Sequence, residues 1–219
     1  MGARDQDGLA PDGHLSAQSG PAEARVIVLA GPSGAGKSRL AEWLRLPVLR
    51  LDDYYKDGSD PTLPRITGGA QHGLVDWDHP AAWHPEEAVA ALATLCTTGT
   101  VTAPVYDLAH DGRTGHRLLR LDGARLVVAE GIFAQDVVAP LAERDLLEAA
   151  YCVRQHPALT FVQRLRRDLR EHRKPPAILV RRGLALLRSQ RAVVADAVAK
   201  GCRPVTPSQA RRALAAHRR

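Results

Sequence analysis

The sequence predicts an α/β fold, a parallel β-sheet flanked by helices, and three observations point there. Val26-Ile-Val-Leu-Ala30 is an unbroken apolar run of strand length, as expected of a strand buried on both faces. Ala124-Arg-Leu-Val-Val-Ala129 is the next clear buried strand, apolar without a break from Leu126. Around them, short apolar runs alternate with helical patterns, which is how parallel strands are joined by helical crossovers.

Residues 1–24 are rich in Gly, Ala, Asp, Pro and Ser without periodicity, and read as a disordered N-terminal tail. The single remaining domain spans 25–219. After the first strand comes a glycine-rich turn, then a helix around Ser38–Leu46 and a short strand, Val48–Leu51, ending at Asp52 and Asp53. Tyr54–Gly73 is loop-like, with Gly, Pro and Asp throughout. Pro85-Glu-Glu opens a helix that runs to about Cys96, with Pro in the first turn and acids near its positive end. Val101–Val105 and Leu118–Leu121 are read as a small β-hairpin insertion, with Gly112–Gly115 as a turn. A helix over Ala134–Glu143 and a strand over Leu147–Val153 follow. Two long helical segments, Ala158–Arg173 and Ala177–Lys200, are separated by Pro175-Pro176, because proline cannot donate the helical hydrogen bond. A last short helix starts at Ser208.

The chain has 219 residues, 45% of them hydrophobic, enough for one sizeable core. No apolar run reaches the about 18 residues of a membrane span, and the first residues carry no apolar stretch of signal-peptide type. Gln6 stands where a myristoylation signal has Ser or Thr. Cys96, Cys152 and Cys202, odd in number and far apart, fit neither a disulfide framework nor a zinc site, so the expected compartment is the cytoplasm. Net charge is +6, with 26 Arg against four Lys, which favours an anionic partner or reflects codon usage.

Gly31-Pro-Ser-Gly-Ala-Gly-Lys-Ser38 matches the whole phosphate-binding pattern G-x-x-x-x-G-K-[ST], between a buried strand and a helix. Each position has a task. Gly31, Ser33, Gly34, Ala35 and Gly36 form a loop whose backbone N–H groups face phosphates, and the helix adds its positive end. Lys37 reaches the β- and γ-phosphate oxygens, and the Ser38 hydroxyl is a Mg²⁺ ligand. Glu130 closes Arg125-Leu-Val-Val-Ala-Glu130, where a strand-end carboxylate organises Mg²⁺; capping the next helix is its alternative role. The fold is thus a P-loop NTPase fold, and the cofactors are ATP, or GTP, with Mg²⁺. The chain lacks Asn-Lys-x-Asp and a downstream D-x-x-G, which argues against a signalling GTPase. Strand 2 is expected beside the P-loop strand, placing Asp52 toward the γ-phosphate.

Five segments in order resemble the uridine kinase family, whose wider relatives include phosphoribulokinase and pantothenate kinase. Besides the P-loop, Asp52-Asp-Tyr-Tyr-Lys56 is similar to the family's Asp-Ser-Phe-Tyr-Lys, and Asp76-Trp-Asp-His-Pro80 to Asn-Phe-Asp-His-Pro. Pro104-Val-Tyr-Asp107 and Ala129-Glu-Gly-Ile132 match Pro-x-Tyr-Asp and Phe-Glu-Gly-Ile, so the likeness spans most of 26–175. It implies a kinase that transfers the γ-phosphoryl group to a nucleoside 5′-hydroxyl, uridine first among acceptors, in pyrimidine salvage. Asp52 would be the catalytic base, with Asp53 the open alternative. Tyr55 and Tyr106 would line the nucleoside pocket, unless they are core packing, and Asp78 would hold the ribose hydroxyls.

Residues 154–176 would form an Arg-rich helical lid, whose Arg164 and Arg167, three apart on one helix face, resemble the family's phosphate-contacting arginines. Arg164 would bind the nucleotide and Arg167 would act in catalysis. The chain departs from the pattern at three places. His110 follows Tyr106 by four residues rather than five, which leaves it a ligand or a loop residue. The loop from Lys56 to Val75 differs in length and composition, and Arg182 stands where the family has Gln. These departures fall on base recognition and not on phosphate chemistry.

The expected partner is a small-molecule substrate, with no membrane, nucleic acid disfavoured and homo-oligomerisation open. Within the class, the alternative acceptor is another small hydroxyl compound. Two other classes are a nucleic-acid-stimulated ATPase, suggested by Arg181, Arg182, Arg188 and Arg191, and a regulatory nucleotide-binding protein. No interleaved aromatic and basic stripe for stacking bases supports the former.

Overall fold

Continuous burial along β1 (Arg25–Ala30) organises the structure, a computed structural model that describes residues 24–69, 72–155 and 191–218. Val26, Val28 and Ala30 enter one apolar cluster, while Ile27 and Leu29 enter the other. Successive strand side chains point to opposite faces, so a strand covered on both sides needs an unbroken apolar run. On the first face lies α2 (Pro85–Thr98), which contributes Leu92 and Leu95; both are fully buried. On the second lie α1 (Lys37–Leu44), with Leu40, Ala41 and Leu44, and the C-terminal helix Pro207–Leu214, with Ala210 and Leu214. Each fully buried Leu or Ile side chain here stabilises the fold by about 1.5–3 kcal/mol before entropy costs.

β1 pairs on one side with β5 (Leu126–Glu130) and on the other with β6 (Leu147–Val153). The five-stranded sheet is parallel throughout, in the order β2-β5-β1-β6-β7, with β2 at Val48–Arg50 and β7 at Arg203–Val205. The expected neighbourhood of β2 and β1 is therefore corrected: β5 lies between them. β7 has no counterpart in the sequence reading, because a three-residue strand containing Pro204 carries no apolar signature. At the sheet's edge it tolerates a residue with no N–H to donate.

A separate two-stranded hairpin is made by β3 (Thr100–Asp107) and β4 (Gly112–Arg120). The turn is corrected too. Gly112 and Gly115 lie within β4, and the reversal falls on the residues before them, with Asp111 taking the left-handed angle at φ 46°. Asp tolerates that region through local side-chain hydrogen bonding, so no glycine was required there. The helix expected over Ala134–Glu143 is split into a 3₁₀ turn, Ala134–Val137, and α3, Val138–Glu143. The C-terminal helix is opened by Thr206, whose side chain and that of Gln209 form a reciprocal capping box.

Ala24, placed in the tail from sequence, is buried, and its N–H donates to Cys96 O at 3.2 Å. Residues 191–199 are helical and Lys200 is a turn; the two long segments up to residue 190, and with them nearly all of the lid, fall outside the described residues. Among the described residues no helix is long and apolar enough to cross a membrane. Cys96, Cys152 and Cys202 are all buried.

Candidate active site

The candidate residues gather at the carboxyl edge of the sheet, where the strands of an open α/β sheet leave a crevice. The loop Gly31–Gly36 leaves the end of β1 and enters α1 through Gly36, which caps the helix at φ 96°. Lys37 is 8% exposed, and its Nζ donates to Gly31 O at 2.7 Å and to Pro32 O at 3.2 Å, curling the ammonium over its own loop. Gln155, just beyond β6, braces the same loop by donating from Nε2 to Ala35 O at 2.8 Å. Nothing in the sequence singled out Gln155, because its role depends on β6 lying beside β1.

Glu130 ends β5 at the level of Leu29 on one neighbour and Arg50 on the other. The Ser38 hydroxyl, on the first turn of α1, donates to Glu130 Oε2 at 3.1 Å. Burial raises the Glu130 carboxyl above its ordinary range, against the pull of Lys37 and the Ser38 hydrogen bond. Such a carboxylate is held at a desolvation cost that an added cation relieves.

Asp52 stands exposed in a 3₁₀ turn, Leu51–Tyr54, that continues β2. Its Oδ1 accepts the Ile132 N–H at 3.0 Å, which fixes the carboxyl group beside the end of β5. This approach requires Gly131, since a Cβ there would lie 2.9 Å from Asp52 Oδ1 and 2.9 Å from Leu51 Cβ. The Glu130-Gly131 pair thus combines a carboxylate with the space for its neighbour. Asp53 points the other way and is 3% exposed.

Tyr55 and Tyr106 come together with ring centroids 5.7 Å apart. Trp77 meets both, at 5.9 Å from Tyr55 and 6.3 Å from Tyr106, and its carbonyl accepts the Tyr55 hydroxyl at 3.2 Å. Phe133 closes the group at 6.0 Å from Tyr55 and stacks on Trp83, with centroids 5.9 Å apart and planes 20° from parallel. Trp77 and Phe133 were not singled out from sequence. With only nine aromatic residues in the chain, the place of Trp77 inside the Asp76–Pro80 motif and of Phe133 directly after Ile132 was the available signal.

Asp78 is exposed beside Trp77, and its N–H donates to Asp76 Oδ1 at 3.2 Å. His110 stands at the exposed tip of the hairpin, its Nδ1 2.7 Å from Asp107 Oδ2. Arg164 and Arg167 lie outside the described residues.

The model of the Phosphoribulokinase / Uridine kinase family matches residues 26–174. The chain belongs to that family. It is similar to a uridine kinase of Lactobacillus johnsonii, 25% identical over 171 residues, covering 74% of this chain and 76% of the relative. A uridine kinase of Lactococcus lactis subsp. cremoris is 27% identical over 153 residues, covering 67% of this chain and 69% of the relative. Among solved structures, a candidate fructose transport system kinase from Silicibacter sp. TM1040 superposes with a TM-score of 0.56 at 18% identity. That superposition covers 79% of this chain and 85% of the other, and shows a shared fold. As a member of the family, the chain is an ATP-dependent phosphotransferase acting on a hydroxyl group.

Proposed function

We propose that this protein transfers the γ-phosphoryl group of ATP to the 5′-hydroxyl of a nucleoside, with uridine first among the acceptors. The observation that carries the reading is the Ser38–Glu130 hydrogen bond, which joins the phosphate loop to a strand-end carboxylate 92 residues away. One hydroxyl and one carboxylate are oxygen donors suited to Mg²⁺, which is usually held by one or two protein groups together with substrate phosphates. When bound, Mg²⁺ with ATP supplies charge neutralisation across the β- and γ-phosphate oxygens.

The chain's own residues do the rest. Ser38 and Glu130 would hold the metal, and Lys37 would turn from Gly31 O and Pro32 O to the phosphate oxygens. Asp52, oriented through Ile132 N–H, accepts the proton of the acceptor hydroxyl on its carboxylate as that oxygen attacks. Tyr55, Tyr106 and Trp77 present an aromatic wall of the kind that receives a planar base. Asp78 is assigned to the ribose hydroxyls, and His110 to the acceptor, by family resemblance. Arg164 and Arg167 are assigned to the nucleotide phosphates by family resemblance. Catalysis on this reading is positioning and charge neutralisation.

The test is product formation by the purified chain with ATP or GTP and Mg²⁺, offered uridine, cytidine, other small hydroxyl compounds or RNA. Phosphorylation of a nucleoside at the 5′ position is the expected result. Nucleotide hydrolysis that RNA stimulates, with no small acceptor phosphorylated, would overturn it.

A further inference from the structure

The residue beside the proposed base carries a separate role. Asp53 is a carboxylate with a 4% exposed side chain, in the same turn as exposed Asp52. Its Oδ1 accepts the Tyr106 N–H at 3.3 Å, and its Oδ2 lies 3.5 Å from Arg117 Nη2. Both partners belong to the hairpin, one on each strand. The contact falls on a β-bulge: pairing shifts between Val105 and Tyr106, where β4 carries Thr114 as an extra residue. A bulge interrupts the regular ladder and bends the strand, and here the Tyr106 N–H turns to a side chain of another element.

A two-stranded hairpin is marginal by itself, and this one forms no ladder with the main sheet. Its place over the site therefore comes from contacts outside the ladder, the Gly58 N–H donating to Asp111 O at 2.6 Å at the tip and side chains elsewhere. Asp57 accepts the Arg113 N–H at 2.7 Å nearer the tip, and Arg113 meets Glu87 at 2.8 Å. The Asp53 Oδ1 contact ties the Tyr106 backbone itself to the turn that holds Asp52.

We propose that Asp53 is a positioning residue, clamping the hairpin and its Tyr106 to the Asp52 turn so that acceptor pocket and base form one rigid unit. The inference rests on the proposed function for the identity of pocket and base. Burial raises the Asp53 carboxyl above its ordinary range, against the pull of Arg50, the Tyr106 N–H and Arg117, with Asp52 adding to the rise. The clamp is a buried carboxyl that accepts a backbone N–H beside an Arg guanidinium, a contact costly to leave half-made.

The test compares wild type with Asp53→Ala and Asp53→Asn in steady-state kinetics, with a thermal melt confirming that each is folded. Asp53→Ala is expected to raise the acceptor KM by about tenfold or more, the loss of one buried contact, with the ATP KM within about twofold. Asp53→Asn keeps an acceptor oxygen for the Tyr106 N–H and is expected to restore most of that loss, to about threefold above wild type. It carries the test if the alanine variant does not fold. An unchanged acceptor KM in the folded variant, or both KM values rising together, would overturn the proposal. Wild type inactive on every acceptor would instead defeat the proposed function. The clamp is then read from Tyr106 amide exchange without ligand: faster exchange in Asp53→Ala than in wild type, with Asp53→Asn nearer wild type, supports it, and equal exchange in Asp53→Ala overturns it.

Discussion

Gly31 is the position where one added methyl group does most harm. It leaves β1 at φ 125°, and a Cβ built there would lie 2.3 Å from Val153 O and 3.2 Å from Val153 N. Close C···O contacts in sheets lie at about 3.3–3.6 Å, so relief needs a shift of roughly 1 Å at the end of β6. Val153 pairs with Val205 of β7 and sits at the edge of the second apolar cluster, so it cannot move alone. Overpacking of this kind costs about 1–3 kcal/mol, and holding a side chain at this φ costs about 1–3 kcal/mol more. Gly31→Ala should therefore lose about 2–6 kcal/mol, a fall in Tm of about 5–20 °C for a domain of this size.

The loop would move as well, since Gly31 O holds Lys37 Nζ at 2.7 Å. A displacement near 1 Å costs about 10²-fold in turnover when it misplaces reacting groups. Gly99→Ala is the control. Gly99 has φ 77° with nothing within 4 Å of its added Cβ, so only backbone strain of about 1–2 kcal/mol is felt. Thermal melts of both variants and turnover of Gly31→Ala measure the difference. If the two variants melt together, the collision with Val153 is not what demands glycine at this position.

Glu130→Gln is expected to stabilise the ligand-free protein while impairing catalysis. Burial raises the Glu130 carboxyl, so the stability associated with its protonated form is lost as pH rises through that raised value. Glutamine does not suffer that loss. Its Tm should exceed wild type at neutral pH, and the gap should shrink as pH falls into the carboxylate range; a gap that widens toward acid would refute the sign. Asp52→Asn should bind ATP within about twofold of wild type and lose about 10²–10⁴ in transfer, the usual contribution of a general base. Isothermal titration and single-turnover transfer separate the two effects, and undiminished transfer would remove Asp52 as the base.

What could be read from the chain follows the physics of each element. β1 and β5 stand out because burial on both faces demands Val26–Ala30 and Leu126–Ala129 without a polar break. The phosphate loop stands out because backbone amides need glycines at fixed spacing around Lys37. β7 and Gln155 were silent, since their roles exist only once β6 is in place. The hairpin turn was misplaced because glycine was taken as its mark, whereas Asp111 makes the reversal and Gly112 lies within 3.1 Å, at its added Cβ, of Asp57 Oδ1. Asp53, read as a rival base, proves to face inward.

Strand order was the largest miss, and its correction bears on the chemistry. Neighbouring strands lie about 4.8 Å apart, so β2 directly beside β1 would set the Asp52 turn against Lys37 and invite a closed ion pair. With β5 between them, the ends of β1 and β2 are separated by roughly 10 Å, and Glu130 occupies the middle strand. On the proposed reading, that spacing leaves a phosphoryl group and an acceptor oxygen room to stand in line between Lys37 and Asp52. It also puts Glu130, which would hold Mg²⁺ together with Ser38, on the strand between the two. Connection order along the chain cannot reveal this. It is decided by which crossover buries its helix, and only then do three residues far apart in sequence fall into line.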